Sequence, residues 1–386
     1  MSAITSEDAT AIAEPSSEER VVAGGLTLRL SRVSRRQVIT GAVLGGLGLI
    51  PILVDRAATP NIHFWEFIGA YIAVWAMLEL SVVVITGYAG LISLMPFTFV
   101  GVGCFAAGVA TSVWGWPFWF AIPFAALATV PISIAVGAAS VRLKGLYLAI
   151  ATLAFASALG ETLFKWADFT GGQSGHSVAG KLELGPIDFS GEFAFYFLAM
   201  GVALALVWMV HGLKKSRVGR AMLAVRDNER EAQALGINAV KTKLIALVIG
   251  GAIAGVGGAF YLALLKSPAP AGFQSPYVDV SSVLLVIWAV IGGIESAFGA
   301  FLGATALIAQ QQIFQGADKL FFFIGLYAAV VLVVFLIARP GGLVQVVKIQ
   351  QERIRSDPIR QIPLTLLAIG INVLIAWLAI HYGTTK

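Results

Sequence analysis

Charge is scarce in this chain of 386 residues, where only 12% of positions are Asp, Glu, Lys or Arg, against roughly a quarter in an ordinary soluble domain. Cysteine is nearly absent. The single thiol, Cys104, sits inside an apolar run, which excludes an internal disulfide and a thiolate zinc site. The four histidines, His63, His176, His211 and His381, make no H-E-x-x-H pair, and neither a G-x-S-x-G elbow nor a G-x-x-x-x-G-K-[ST] phosphate loop occurs. Gly101-x-Gly103 lies within an apolar stretch rather than after a strand, so it is no dinucleotide fingerprint. No catalytic residue, metal-ligand set or bound cofactor is therefore expected, and any ATP chemistry has to come from another subunit. The net charge of +5 is not gathered into a domain-sized basic surface, so nucleic acid is not an expected partner.

What the chain has in abundance is apolar sequence, 58% of all residues. It falls in repeated blocks of roughly 17 to 25 residues, the length a helix needs to cross a hydrocarbon core of about 30 Å. The expected class is an all-α integral membrane protein with about ten transmembrane helices, some broken or half-length. Candidate spans run over 38–54, 64–86, 94–112, 117–139, 146–166, 193–212, 243–265, 281–292, 297–314, 319–338 and 361–381. The pair flanking Gly292 to Ser296 reads as the two halves of a broken helical hairpin. Many of the 42 glycines lie inside these blocks, where small residues let neighbouring backbones approach; Gly251-x-x-x-Gly255 and Gly299-x-x-x-Gly303 are examples.

The few charges set an orientation. With the N-terminus inside and the side alternating at each break, twenty of the 26 Lys and Arg fall on one face. They lie in the tail to Arg36, at Arg142 and Lys144, in the long 213–243 loop and in 339–360, as the positive-inside rule requires of a cytoplasmic side. Ser34-Arg35-Arg36-Gln37-Val38-Ile39 resembles a twin-arginine export signal superficially, but the acidic, polar first 20 residues and the many spans that follow favour a disordered cytoplasmic tail. The expected organisation is that tail over 1–36, a transmembrane domain over 37–345, and a segment over 346–386 with a cytoplasmic stretch and an extra C-terminal helix. Within the domain, 213–242 is the cytoplasmic loop and 167–192 the external one.

Three features carry candidate chemistry. The inside loop from Val218 to Gly236 reads as one short amphipathic helix ended by glycine. Arg226/Glu229 and Asp227/Arg230 are spaced to pair on its surface, while Met222, Val225 and Ala232 form a small apolar face. Such a helix suits a groove on a soluble partner and a lipid surface equally. The glycine-broken segments Gly87 to Ser93 and Gly292 to Ser296 either free backbone groups for a polar solute or make tight cytoplasmic turns. Glu79, a carboxylate in Trp75-Ala76-Met77-Leu78-Glu79-Leu80-Ser81, is expected to face the bundle, as an interhelical hydrogen-bonding group or as part of a solute pathway. Glu161 and Lys165 are one turn apart and predicted to pair near the outer surface.

At the inside loop the chain becomes recognisable. Gly219-Arg220-Ala221, Arg226-Asp227-Asn228-Glu229, Ala232 and Leu235-Gly236-Ile237-Asn238 resemble the signature of branched-chain amino acid ABC transporter permeases, of the LivM type rather than its sister permease. Gly87-Tyr88-Ala89-Gly90-Leu91-Ile92-Ser93-Leu94, followed by Phe99, is similar to that family's GYAG-x-x-S-L segment. Gly145 to Phe155 and Thr170-Gly171-Gly172-Gln173-Ser174-Gly175 match a further run, and Gly292-Gly293-Ile294-Glu295-Ser296 with Gly299 and Gly303 matches its hairpin. The resemblance spans roughly 65–345, in the family's order.

That resemblance implies an ABC importer permease fold in a bacterial plasma (inner) membrane. It further implies a second homologous permease subunit, two ATP-binding subunits carrying ATP and Mg, and an extracytoplasmic solute-binding protein. The coupling helix would comprise Gly219, Arg220, Ala224, Arg226, Asp227, Asn228, Glu229, Ala232 and Gly236. The solute pathway would draw on Glu79, Gly87, Gly90, Ser93, Phe99, Gly292, Gly293 and Ser296, and an external gate on Thr170, Gly171, Gly172, Ser174 and Gly175. The alternative is a self-sufficient secondary transporter or channel using Glu79 or Glu161. Two departures bear on the solute: Met95-Pro96-Phe97 replaces what is more usually Gly, then Gln or His, then a small residue, and Glu295 stands where glycine is common.

Overall fold

The computed structural model describes residues 64–140, 143, 145–177, 183–184, 187–189, 191–315, 333 and 342–345. The expected spans at 38–54, 319–338 and 361–381, with both terminal segments, lie almost wholly or wholly outside them.

Every other expected span is a helix. They are α1 (Phe64–Val82), α2 (Pro96–Gly108), α3 (Phe118–Ser140), α4 (Leu146–Glu161), α6 (Glu192–Lys215), α9 (Ala239–Leu265), α10 (Tyr277–Gly292) and α11 (Ala297–Gln315). Between them lie the short α5 (Ala167–Thr170) and, in the inside loop, α7 (Arg217–Asp227) and α8 (Glu229–Ala234). A two-stranded antiparallel scrap, β1 (Glu183–Leu184) with β2 (Ile187–Asp188), pairs Glu183 with Asp188. Among the described residues, six helices are long and apolar enough to cross a membrane. α10 and α11 reach that length and apolarity only together, bent by 117° at their break, and form the expected broken hairpin. Two starts fall earlier than apolarity predicts, for local reasons. Asn238 caps α9 by accepting from the Lys241 amide, and Asp279 sits in the first turn of α10, where a carboxylate favours the helix dipole.

The centre of the bundle is α1, α2 and α9. α1 and α2 are largely enclosed by protein, whereas α3, α4 and α6 keep most of their surface outward. α9 contacts α1, α2 and α3; α6 and α11 lie against α1. Small residues set these separations. A Cβ on Gly258 would stand 2.2 Å from the Val100 carbonyl oxygen, and one on Gly103 would stand 2.5 Å from the Gly255 Cα. On α3 the seam Ala121, Ala125, Thr129, Ser133 is fully buried and meets Gly251 and Gly255 of α9. Outward lie Phe120 and Leu127, each 66% exposed, and Trp208 of α6, 75% exposed. In water so many exposed large apolar groups would drive aggregation; against lipid they are at home. The pyrrolidine rings of Pro123 and Pro131 sit inside α3, a placement that membrane-spanning helices tolerate better than soluble ones.

Two sets of segments mark opposite ends of the bundle. One gathers the α1 break, the α6 to α8 region and the hairpin tip, through contacts described below. At the other, Ser112 Oγ bonds His176 Nδ1 at 2.8 Å, Ser267 donates to the Ser174 carbonyl at 2.6 Å and Gln274 donates to the Phe164 carbonyl at 3.2 Å.

The α2–α9 crossing makes a stability prediction. Gly258→Val pushes its side chain into the Val100 carbonyl and the Cys104 amide, so the helices must separate, at a cost of about 1–3 kcal/mol. Thermal unfolding of the detergent-solubilised chain should show a clearly lower midpoint; Leu265→Val, at a partly exposed helix end, should show almost none.

Candidate functional site

The inside loop is built from three N-caps in succession. Ser216 Oγ accepts from the Gly219 amide at 3.1 Å and starts α7. A Cβ on Gly219 would fall 2.0 Å from the Leu213 carbonyl oxygen, so the α6–α7 turn closes tightly only around glycine. The expected single helix is in fact two. Asn228 takes an extended conformation (φ −153°), and its side chain accepts from the Arg230 amide at 3.1 Å and the Glu231 amide at 3.4 Å. Its amide nitrogen also donates to Glu231 Oε1 at 2.5 Å. Asn228 is thus the N-cap that restarts the chain as α8, its side chain held in turn by Glu231. Gly236, at φ +83°, ends α8 in a Schellman turn, with Gly236 N–H to Gln233 O at 2.9 Å and Ile237 N–H to Ala232 O at 3.0 Å.

The apolar face of this loop is used internally. Met222 is fully buried in the main core, and Val225, Ala232 and Ala239 form a satellite cluster with Ala224 and Ile237 against it. What remains outward is mostly charged or polar: Arg217, Arg220, Asp227, Asn228, Arg230, Glu231 and Gln233 are exposed, with the apolar Val218 and the 81% exposed Leu235 beside them. The expected i,i+3 pairs are not the ones that hold the loop. Glu229 pairs with Lys243 of α9 at 3.0 Å, and Arg226 turns to Asp227 at 3.2 Å and Glu295 at 3.3 Å. Arg220 donates to the Lys215 carbonyl at 2.8 Å. Three apart in sequence, Arg226 of α7 and Glu229 of α8 would pair only on one continuous helix, and the Asn228 break removes it.

The two glycine-broken segments meet this loop. α1 ends in a π-type turn over Val83–Tyr88. The Gly87 carbonyl accepts from Arg226 Nη1 at 2.6 Å, and a Cβ on Gly87 would lie 1.9 Å from the Ile294 carbonyl oxygen. Gly90 (φ +69°) lies against the Arg226 stem, which its Cβ would strike at 2.6 Å. Ser93 is buried, its hydroxyl without a partner among the described residues, and the next amide, Leu94, donates to Thr152 at 3.0 Å. At the hairpin, Gly293 (φ +119°) caps α10, Ser296 N–H bonds the Gly293 carbonyl at 3.1 Å, and Gly292 packs against Gly299 and Gly303. Lys214 donates to the Glu295 carbonyl at 2.7 Å and lies 5.4 Å over the Tyr88 ring. Phe99 is fully buried beside Gly251.

Glu79 is fully buried, with neither carboxyl oxygen hydrogen-bonded among the described residues. It faces α11, where a Cβ on Gly303 would come 2.1 Å from Glu79 Oε2 and 2.5 Å from the Trp288 carbonyl oxygen. One turn earlier, Trp75 stacks at 6.2 Å on Phe97, which in turn stacks on Phe273 at 5.1 Å. The ring that departs from the family's small residue therefore fills an aromatic core. At the opposite end, Thr170 is buried, Gly171 (φ +80°) and Gly172 (φ +72°) make the turn, and Gly175 lies against the Pro268 carbonyl. Glu161 pairs with Lys165 as expected.

Sequence reading missed several contacts. Lys214 and Lys243 entered it only as cytoplasmic charge. Asp279, bonded by Ser157 at 2.9 Å and Ser275 at 2.7 Å, ties α4 to the start of α10; a lone carboxylate flanking an apolar block was its only signal.

Apolar helices with outward hydrophobic faces, a broken hairpin and a capped polar loop at one end define a polytopic membrane permease. Residues 65–339 match the family described as branched-chain amino acid transport system / permease component, and the chain belongs to it. It is 25% identical over 323 residues to the high-affinity branched-chain amino acid transport system permease protein LivM of Salmonella typhimurium (strain LT2), covering 78% of this chain and 73% of that protein. The Escherichia coli (strain K12) LivM is 26% identical over the same shares. A xylose transport system permease protein, XylH of Haemophilus influenzae, is 32% identical over 92 residues, 24% of each chain. No solved structure matches.

The Glu79–Gly303 contact is testable by a double-mutant cycle. Gly303→Ala should destabilise the solubilised chain by about 1–3 kcal/mol. In a Glu79→Ala background the loss should shrink without vanishing, because the Trp288 carbonyl still blocks the methyl. Additive losses would mean that the two positions do not meet.

Proposed function

We propose that this chain is one membrane-spanning subunit of an ATP-driven importer, carrying branched-chain or other small amino acids, or related small polar solutes such as urea and amides, into the cell. In this reading it sits in a bacterial plasma membrane with its N-terminus in the cytoplasm. It pairs with a second homologous permease, two ATP-binding subunits below and an extracytoplasmic solute-binding protein above. The observation that carries the proposal is the polar outer face of α7 and α8, held by three caps and a buried apolar base against the tips of two broken helices. A helix pair fixed on its inner side and charged on its outer side suits docking to a soluble partner. The membrane-surface reading loses support, since Met222, Val225 and Ala232, the face that would enter lipid, are already covered by this chain, which leaves only Val218 and Leu235 as large outward apolar groups along α7 and α8.

The secondary-transporter reading rests on Glu79 and Glu161. Glu161 is half exposed and engaged with Lys165, which leaves it poorly placed to bind a coupling ion. Glu79 alone would have to do so, and the α7–α8 loop would then have no task.

Reconstitution decides between the two. The chain, purified with its native neighbours and placed in liposomes, should take up radiolabelled leucine only with ATP and an added binding protein. Uptake by this polypeptide alone, driven by an ion gradient, would overturn the importer reading. Arg217→Glu combined with Arg230→Glu, both outward, should weaken retention of the ATP-binding subunits by at least about tenfold, measured by co-purification, and leave the thermal midpoint of the lone chain in place.

A further inference from the structure

Arg226 differs from the rest of the docking loop in pointing inward. Its side chain is 28% exposed, against 69% for Asp227 and 69% for Glu295. All three nitrogens of its guanidinium are engaged: Nη1 with the Gly87 carbonyl at 2.6 Å, Nη2 with Glu295 at 3.3 Å and Nε with Asp227 at 3.2 Å. Its stem lies on Gly90. One side chain of the loop thus holds the broken end of α1 and the tip of the α10–α11 hairpin together. Lys214, just before the Ser216 turn, bonds the same tip through the Glu295 carbonyl at 2.7 Å. The two breaks also touch directly, at Gly87 and Ile294.

We infer that Arg226, supported by Lys214 and Glu295, is the transmission residue of this permease, converting a displacement of α7 into movement of the two helix breaks, rather than a residue of the ATPase-docking surface. The inference rests on the docking reading of α7 and α8. Three features make the connection stiff. A charged donor on a main-chain carbonyl is a strong hydrogen bond, and this carbonyl belongs to the end of a helix, where partial negative charge favours a cation. Met222, one turn before Arg226, is anchored in the core, so α7 cannot roll without carrying its base. The breaks are the places where α1 and the hairpin can pivot, as element ends do in hinge motions. The Glu295 carboxylate is exposed, so its ion pair adds less than the carbonyl bond. A lysine cannot span these acceptors, because it offers a point charge where arginine offers a planar fork.

The test uses the full complex in liposomes, reading co-purification of the ATP-binding subunits, ATP hydrolysis and leucine uptake. Arg226→Gln should keep the ATP-binding subunits attached, yet lower uptake per ATP by about tenfold. Arg226→Lys should lose more than half of that ratio, and Glu295→Gln about twofold. An unchanged ratio in Arg226→Gln overturns the inference; so does loss of attachment equal to that of the Arg217→Glu, Arg230→Glu variant, which would return Arg226 to the docking surface. If the wild-type chain retains no ATP-binding subunits, the importer reading fails instead. Hydrogen exchange on the lone chain then still judges the contact: Arg226→Gln should speed exchange at 87–93 and 292–297 by about tenfold, and no acceleration there overturns it.

Discussion

A helix that stops in or beside a membrane leaves its last carbonyl oxygens without intrahelical partners, in surroundings where water does not replace them freely. Among the described residues, helices stop in that way after Tyr88 and at Gly292, and the rest of the functional end follows from how those stops are satisfied. The first is closed by a π-type turn and by the Arg226 guanidinium on Gly87. The second is closed by the left-handed Gly293 and by Lys214 on the Glu295 carbonyl. Both cations come from one short stretch, at the end of α6 and in the last turn of α7. The helix breaks and the polar loop are therefore one structural unit, although 139 residues separate Gly87 from Arg226.

Small residues make that unit possible. Lipid supplies little hydrophobic drive between helices, so their association relies on close packing, and α1, α2, α3 and α9 approach through Gly103, Gly251, Gly255, Gly258 and the Ala121–Ser133 seam. The tight centre contrasts with α3, α4 and α6, whose large side chains face outward. A rigid middle with pivots at one end is a suitable frame for transmitting a push applied at the loop.

The sequence makes the spans legible because length and apolarity alone decide them, and all eight expected helices within the described residues form. Chain direction and capping were harder to read. Apolarity placed the starts of α9 and α10 four residues late, since Asn238 and Asp279 are polar residues that nevertheless belong to helix starts. The loop was legible as helical and as ending at Gly236, but its interruption was not. Asn228 is equally compatible with a helix interior by composition, and only the Glu231 partner three residues on marks it as a cap. Long-range pairings were the least legible. Arg226 has two acidic neighbours in sequence, Asp227 and Glu229; Glu229 goes to Lys243 and Arg226 reaches Glu295 instead, a choice that depends on tertiary placement.

The departure at Glu295 acquires a meaning from this geometry. The contact with Lys214 uses the backbone carbonyl, which a glycine would also offer, and the contact of Arg226 with Gly87 is again to backbone. Glycine at position 295 would leave both main-chain contacts in place. The carboxylate adds a third contact, from hairpin tip to α7, exposed and open to screening by salt. Its contribution is therefore an adjustable supplement to a connection that the backbone already makes, and the essential part of the connection lies in the arginine.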